Sequence, residues 1–356
     1  MALLVPMLTL SLTLTAAEKD PLALRLSKGR LPARDAWYGS PESMIVAENV
    51  LLMQKDNGGW EKNYRKYRQK LSPEDSLAAV QGRAAITEST IDNKATYTEL
   101  VFLANQYQVQ PDERYAQAFR RGLEFLLSIQ YDNGGFKQFS RDKGYYTHIT
   151  YNDGAMVNVM TLFWHILQDD EFFGSFVDEA LRARIAVAFD RGIDCIIKTQ
   201  YVQNGVKTVW CAQHDEVTLQ PANARAYELA SLSGAESAGI VRLLMALDHP
   251  SAEVRQAVHA AMAWFEANRI TDHRIATVTD QEGRPNRVWV ESSEGPDLWG
   301  RFCDLKTNRP FCCDRDGIVK YDISEIGYER RNGYGWYSEE PGELFPLYEL
   351  WCERWE

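Results

Sequence analysis

Apolar positions recur at helical spacing through most of the chain. Tyr115, Phe119, Leu123, Leu126 and Leu127 fall three to four residues apart and so share one face of a helix. Similar stripes run through Tyr97–Gln106, Met156–Leu167, Leu181–Ile197 and Val254–Ile270, and each predicts a helix that buries one side. Strand-like alternation is weak, with Val288-Trp289-Val290 the best short case. After about residue 275 the pattern loosens into loops dense in aromatic and charged residues, among them Trp289, Trp299, Tyr328, Tyr334, Trp336 and Tyr337. Leu344 to Trp355 then predicts a last helix.

The helical pattern repeats. Leu51 to Trp60, Leu126 to Phe136 and Ile196 to Gly205 each read as an apolar helix end, then Gln, then Asn-Gly. The asparagines Asn57, Asn133 and Asn204 stand 76 and 71 residues apart. That length holds more than one helix, so the repeated unit is a helix pair. Asn-Gly tolerates the left-handed conformation that stops a helix, which lets the next helix run back. The chain therefore reads as mainly α, built of repeated helix pairs with long loops and a few short strands. The pairs can close into a ring with loops gathered round a central cleft, or stack as an open solenoid. No Pro- or Ser-rich linker interrupts residues 18–356, which reads as one domain.

Residues 1–17, MALLVPMLTLSLTLTAA, are uncharged, Leu-rich and end in small residues, the pattern of a secretory signal peptide cleaved near Ala17. No later stretch approaches about 18 uninterrupted apolar residues, so no membrane association is expected after its removal. Six cysteines, with no C-x-x-C pair, argue against zinc ribbons and redox motifs; one or two disulfides are expected for an exported protein. The net charge of −11 argues against non-specific nucleic-acid binding, which rests on neutralising phosphates. The 10 Trp and 17 Tyr are numerous enough to line a sugar-binding cleft as well as a core.

Three regions carry candidate chemistry. Two acid–amide pairs, Asp92-Asn93 and Asn152-Asp153, precede predicted helices. Acids and amides there commonly serve as N-caps. Two carboxylates brought to one end of a helical bundle could instead share a hard cation, although the spacing is not that of an EF-hand. The stretch from Thr208 to Ser237 is dense in polar residues, including His214, Asp215, Arg225 and Glu228, but lacks the G-x-S-x-G elbow of a serine hydrolase. A third cluster, Asp297 to Asp304 with Arg309 to Asp316, interleaves Arg with aromatic residues. Arg301 and Arg315 there suit carboxylates, which a guanidinium grips through two parallel hydrogen bonds. No H-E-x-x-H, P-loop or G-x-G-x-x-G is present.

Taken in order, Asp56-Asn57-Gly58-Gly59-Trp60, Ser89 to Thr96, Tyr151 to Met156, Val209 to Asp215, Ala224 to Glu228 with Ser231 to Ser237, and Trp299 to Phe302 resemble the pectate lyases of polysaccharide lyase family 10. The resemblance runs from about Asn49 to Trp355. It implies an α/α toroid that cleaves polygalacturonate by calcium-dependent β-elimination, acting as a secreted or periplasmic monomer. It implies Ca2+ ligands at Asp92 and Asp153, and a catalytic base at Arg225. Arg301 and Arg315 fall on substrate-binding arginines, Lys198 matches a lysine that contacts a sugar carboxylate, and Asn93 and Asn152 are further substrate contacts. The rivals are a toroidal glycoside hydrolase using two carboxylates, a terpene cyclase suggested by the Gln–aromatic turns, and a pectin-binding protein without catalysis.

Overall fold

The computed structural model describes residues 20–26 and 37–356, so the signal-peptide reading of residues 1–17 lies outside the described residues. Its α-helices are α1 (Pro41–Met53), α2 (Pro73–Gly82), α3 (Tyr97–Val109), α4 (Glu113–Ser128), α5 (Ala155–Gln168), α6 (Asp170–Phe173), α7 (Glu179–Thr199), α8 (Gly234–Met245), α9 (Ala252–Ala267), α10 (Tyr328–Gly333) and α11 (Leu344–Trp355). Side chains of Ser40, Ser72, Asp112, Asp178, Ser233 and Ser251 cap α1, α2, α4, α7, α8 and α9, each accepting a first-turn amide.

The helices pack as pairs, α3 on α4, α5 on α7 and α8 on α9. The first members also follow one another, α1 on α3, α3 on α5, α5 on α8 and α8 on α11, and α7 touches α9. This is an inner and an outer layer of helices, the architecture of an α/α toroid. One apolar cluster runs through both layers, from Leu22 to Trp351. A smaller second cluster, around Tyr227, Phe302, Phe311 and Trp336, belongs to the loop-rich part after α9.

The repeated Gln-Asn-Gly element has one mechanical role in each unit. The Gln54 amide donates to Gly58 O at 2.9 Å and to Ala118 O at 2.8 Å. Gln130 donates to Gly134 O at 3.0 Å and Ala188 O at 2.8 Å, and Gln200 to Thr208 O and Ala257 O, both at 2.9 Å. Each glutamine thus ties its own turn to a helix of the outer layer, α4, α7 or α9. Tryptophans add a second tie: the indole N–H of Trp60, Trp210 and Trp299 donates to the carbonyl of Val50, Ile196 and Phe265 at 2.7–2.8 Å. The glycine of the turn is obligatory at Gly134, where φ is +89° and an added Cβ would meet Arg191 O at 1.9 Å.

Strands are short and paired two by two. The longest pair is the hairpin His273–Thr279 with Pro285–Glu291, which contains the expected Val288-Trp289-Val290. The expected disulfides are not formed: all six cysteines are free thiols, and all but Cys352 are buried.

Candidate active site

Two 3-10 turns, Asp92–Lys94 and Asn152–Gly154, lie immediately before α3 and α5 and pack against one another. Neither acid caps a helix. The N-cap positions are Thr96 and Gly154, and neither makes a side-chain cap. In each turn the middle residue is left-handed, Asn93 at φ +51° and Asp153 at φ +53°. Asn and Asp tolerate this conformation, but it is uncommon for any residue with a side chain, and such positions cluster at functional sites.

Hydrogen bonds fix both turns. Asp92 N donates to Thr90 Oγ1 at 3.0 Å, and Asn93 N donates to Asp92 Oδ1 at 2.9 Å. Tyr151 N and Asn152 N both donate to Ala212 O, at 2.9 and 3.0 Å, and Asn152 Nδ2 donates to Asp153 Oδ2 at 3.0 Å. Asp92 is 4% exposed, and its carboxylate is paired with the Lys62 ammonium.

Arg301 reaches the second turn. Its Nη2 donates to Asp153 Oδ1 at 3.0 Å and to Asn152 Oδ1 at 3.2 Å. Its Nε and Nη2 also donate to Glu236 Oε1, at 3.0 and 2.5 Å. Glu236 sits in the first turn of α8 and is buried; Ser233 hydrogen-bonds its other oxygen. Burial opposes the charge on Arg301, but Glu236 and Asp153 outweigh it and keep the guanidinium protonated. A cleft of about 620 Å³ opens here, lined by Asn93, Asp153, Glu236, Arg301, Tyr337 and Glu340 among others. Burial, with the charges of Glu236 and Glu343, raises the Glu340 carboxyl above the ordinary range.

Arg225 lies on the loop before α8. Its Nε donates to Glu228 Oε2 at 2.7 Å and its Nη2 pairs with Glu228 Oε1. Glu228 is buried and also accepts from the Tyr334 hydroxyl at 2.6 Å. Burial disfavours the Arg225 charge, yet the Glu228 hydrogen bonds and charge raise its pKa above the usual arginine value. Tyr334 joins this group to the acid turns: the Arg225 and Arg301 guanidinium carbons lie 5.9 and 5.0 Å from its ring centre. Arg315 is exposed, bonds Glu329 at 3.0 and 3.2 Å, and lies 5.7 Å from the Tyr227 ring. Arg225 and Arg330 approach the same ring at 5.1 and 4.6 Å.

Asp92, Asn93, Asn152, Asp153, Arg301, Arg225 and Arg315 therefore lie along one connected run of contacts. The structure does not bring Lys198 to it: Lys198 stands in the last turn of α7 and donates to Asp194 at 2.5 Å on its own helix. Glu236, Lys62 and Arg330 complete the charge balance, Tyr334 bridges Arg225 and Arg301 as a neutral phenol, and none of the four was singled out as a site residue from sequence. Glu236 carried one signal, a carboxylate at N3 of a helix opened by Ser233. That signal reads equally as a capping box.

The donor set on the two turns fits a hard divalent cation. It consists of two carboxylates and two amide oxygens, and each carboxylate already draws a cationic side chain. Among the described residues, closely spaced His, Cys and acid groups occur elsewhere, at His148, Asp215 and Glu216 and at His259, Cys352 and Glu356. No helix among the described residues is long and apolar enough to cross a membrane.

The family model described as pectic acid lyase matches residues 54–345. Among solved structures, a mutant of the family 10 polysaccharide lyase from Cellvibrio cellulosa in complex with trigalacturonic acid is 33% identical. That match has a TM-score of 0.78 and covers 95% of this chain and 99% of that one. A second structure of the family 10 polysaccharide lyase from Cellvibrio cellulosa is 34% identical, with a TM-score of 0.75 over 91% of this chain and 99% of that one. No curated protein matches the chain in sequence.

Proposed function

The chain belongs to the pectic acid lyase family and is a polysaccharide lyase, and from that premise we propose that it cleaves α-1,4-linked polygalacturonate by calcium-dependent β-elimination. The observation that carries this reading is the junction of two left-handed acid turns with Arg301, which the Tyr334 ring links to Arg225. The relative bound to trigalacturonic acid supports the substrate class.

Asp92 and Asp153 would hold Ca2+, and Asn93 and Asn152 beside them would contact the substrate. Bound there, the ion would neutralise the carboxylate of the reacting sugar and so acidify the neighbouring C5–H. Arg301 has its Nε and Nη2 committed to Glu236, Asp153 and Asn152, so it aligns that turn and adds positive charge to the cleft wall. Arg225 is assigned the C5 proton. A guanidinium gives up its charge with difficulty, and the buried Glu228 carboxylate on its fork favours the charged form. Arg225 therefore takes the C5 proton only after substrate displaces that fork and a proton leaves to solvent. The C4–O4 bond then breaks, the departing oxygen takes a proton from solvent, which Arg225 later returns by releasing the one it took from C5, and C4 and C5 become doubly bonded without consumption of water. Arg315, exposed beside Tyr227, is assigned to a carboxylate of a neighbouring sugar. Lys198 keeps only the role that the family resemblance implies. Export through residues 1–17 would place a single-domain monomer where pectin occurs.

Ultraviolet absorbance during incubation with polygalacturonate tests this. A rise that stops on chelation and returns with added calcium is the expected result. New reducing ends without absorbance would replace the reading with a two-carboxylate hydrolase, and no product at all would leave a pectin-binding protein.

A further inference from the structure

The segment between Phe136 and Ile149 has no part in the chemistry above, yet it is anchored to both acid turns. Backbone bridges join Phe139 to Thr90 and Lys137 to Ile149. Ile91 N and Thr90 Oγ1 both donate to Gln138 O, at 3.2 and 2.6 Å. The 3-10 turn Gly144–Thr147 then carries Tyr145 and Tyr146 to the surface, both part-exposed over the buried Phe139.

These rings form a connected strip. Phe139 and Tyr146 are 4.5 Å apart between ring centres, and Tyr146 and Tyr145 are 4.6 Å apart. The Arg141 guanidinium lies 4.6 Å from the Phe139 centre and 4.9 Å from that of Tyr146. At one end the Lys62 ammonium, paired with Asp92, is 5.2 Å from the Phe139 centre. At the other end the Tyr145 phenol is near enough to Arg225 and Glu228 to feel both charges. The strip therefore leads from Asp92 to Arg225 by a route separate from Arg301 and Tyr334.

Packing alone explains Phe139. It does not explain why two adjacent tyrosines and an arginine stand part-exposed above it. Arg141 is only loosely held, since its two contacts to Glu88 are 3.3 and 3.4 Å. A forked pair with charge-assisted bonds closes to about 2.7–2.9 Å. Its Nε is buried and has no hydrogen-bond partner. A guanidinium in this state has capacity left for a further carboxylate.

We propose that Tyr145, Tyr146 and Arg141 form a second wall of the cleft that grips consecutive uronate units of a longer chain. The tyrosines lie against sugar faces and Arg141 takes a sugar carboxylate. The proposal rests on the polygalacturonate reading above.

The test compares trigalacturonate and hexagalacturonate as substrates for the protein and for Arg141→Ala, Tyr145→Ala and Tyr145→Phe. The hexamer-to-trimer ratio of kcat/KM should fall about tenfold in the two alanine variants, through KM, the worth of one lost stacking or forked contact. Tyr145→Phe should recover most of the ratio, because its ring remains. An unchanged ratio overturns the proposal. So does an equal loss on both substrates with a lowered melting temperature, which would mark the strip as scaffold. If the unaltered protein cleaves neither oligomer, the underlying reading fails first, and that outcome is separate from both of these.

Discussion

Glu236 is the side chain on which the charges of the cleft meet. It holds Arg301 at 2.5 and 3.0 Å, lies 3.5 Å from the Asp153 amide, and is itself buried. Losing one partner of a buried ion pair commonly costs about 3–5 kcal/mol, because the other charge is left without compensation. The Arg301 side chain is 14% exposed and keeps Asp153 and Tyr334 for company, so we expect about 2–3 kcal/mol for Glu236→Gln, read from urea midpoints. Arg225→Lys tests a different property. Lysine keeps the charge but loses the fork that binds Glu228. Turnover should fall by at least about 100-fold, with calcium and trigalacturonate binding by calorimetry kept within a few fold. Near-normal turnover would remove Arg225 from the role of base. Lys62 makes a third case. Its ammonium occupies an oxygen of Asp92, so Lys62→Met should tighten calcium binding in a direct titration. Unchanged or weaker binding would show that Lys62 does not compete with the ion.

At the scale of the element, the repeated glutamine is where sequence and structure meet most directly. Gln54, Gln130 and Gln200 make the same pair of bonds in three places, one to the local turn and one to an outer-layer helix. An unpaired buried carbonyl costs roughly 1–3 kcal/mol. Gln130→Leu strips both Gly134 O and Ala188 O of a donor, and should lower stability by about 2–4 kcal/mol on that basis. An exposed control such as Gln117→Leu should change little. Equal melting temperatures for the two variants would mean that the repeat is a packing pattern and not a hydrogen-bonded clip. The helices were legible because each unit needs an apolar stripe, a stop and this clip, and all three are local in sequence. The site was legible only where a residue type is unusual in its position. Asp92 and Asp153 attracted attention as paired acids but read equally well as caps, until their turns proved left-handed and capless. Lys62, Glu236 and Tyr334 were hidden because their meaning lies in partners 30 to 106 residues away, and no local pattern encodes such pairings. Free cysteines were misread for a similar reason. Export suggested disulfides, but pairing depends on distances that only the folded chain sets.

For the whole molecule, acid sensitivity follows from two imidazoles that the fold keeps neutral. His214 is fully buried in the loop carrying the site; its Nδ1–H donates to Leu219 O at 2.9 Å, and its Nε2 accepts from Cys211 N at 3.2 Å. A second proton would set an N–H on Nε2 against the Cys211 N–H, and burial accordingly pushes the imidazole down to about 4. Burial does the same for His165, also to about 4, and its Nε2 is enclosed with no partner. In the unfolded chain both would titrate near 6.5. The unfolded state therefore binds more protons than the fold between these values. Stability is complete above about pH 6.5 and is lost as pH falls towards 4, by roughly 2–4 kcal/mol for each histidine. Glu340 works in the opposite sense, since its raised carboxyl takes up a proton more readily in the fold. A single carboxyl that is open to the cleft offsets only part of the loss. Urea midpoints measured from pH 7 to pH 4 should fall, and His214→Gln should flatten the fall. Gln can still donate to Leu219 O and accept from Cys211 N, but it does not titrate. A midpoint that stays level from pH 6.5 to pH 4.5 would mean that the fold admits the charged imidazoles, and that the loop around Arg225 is wetter than its burial indicates.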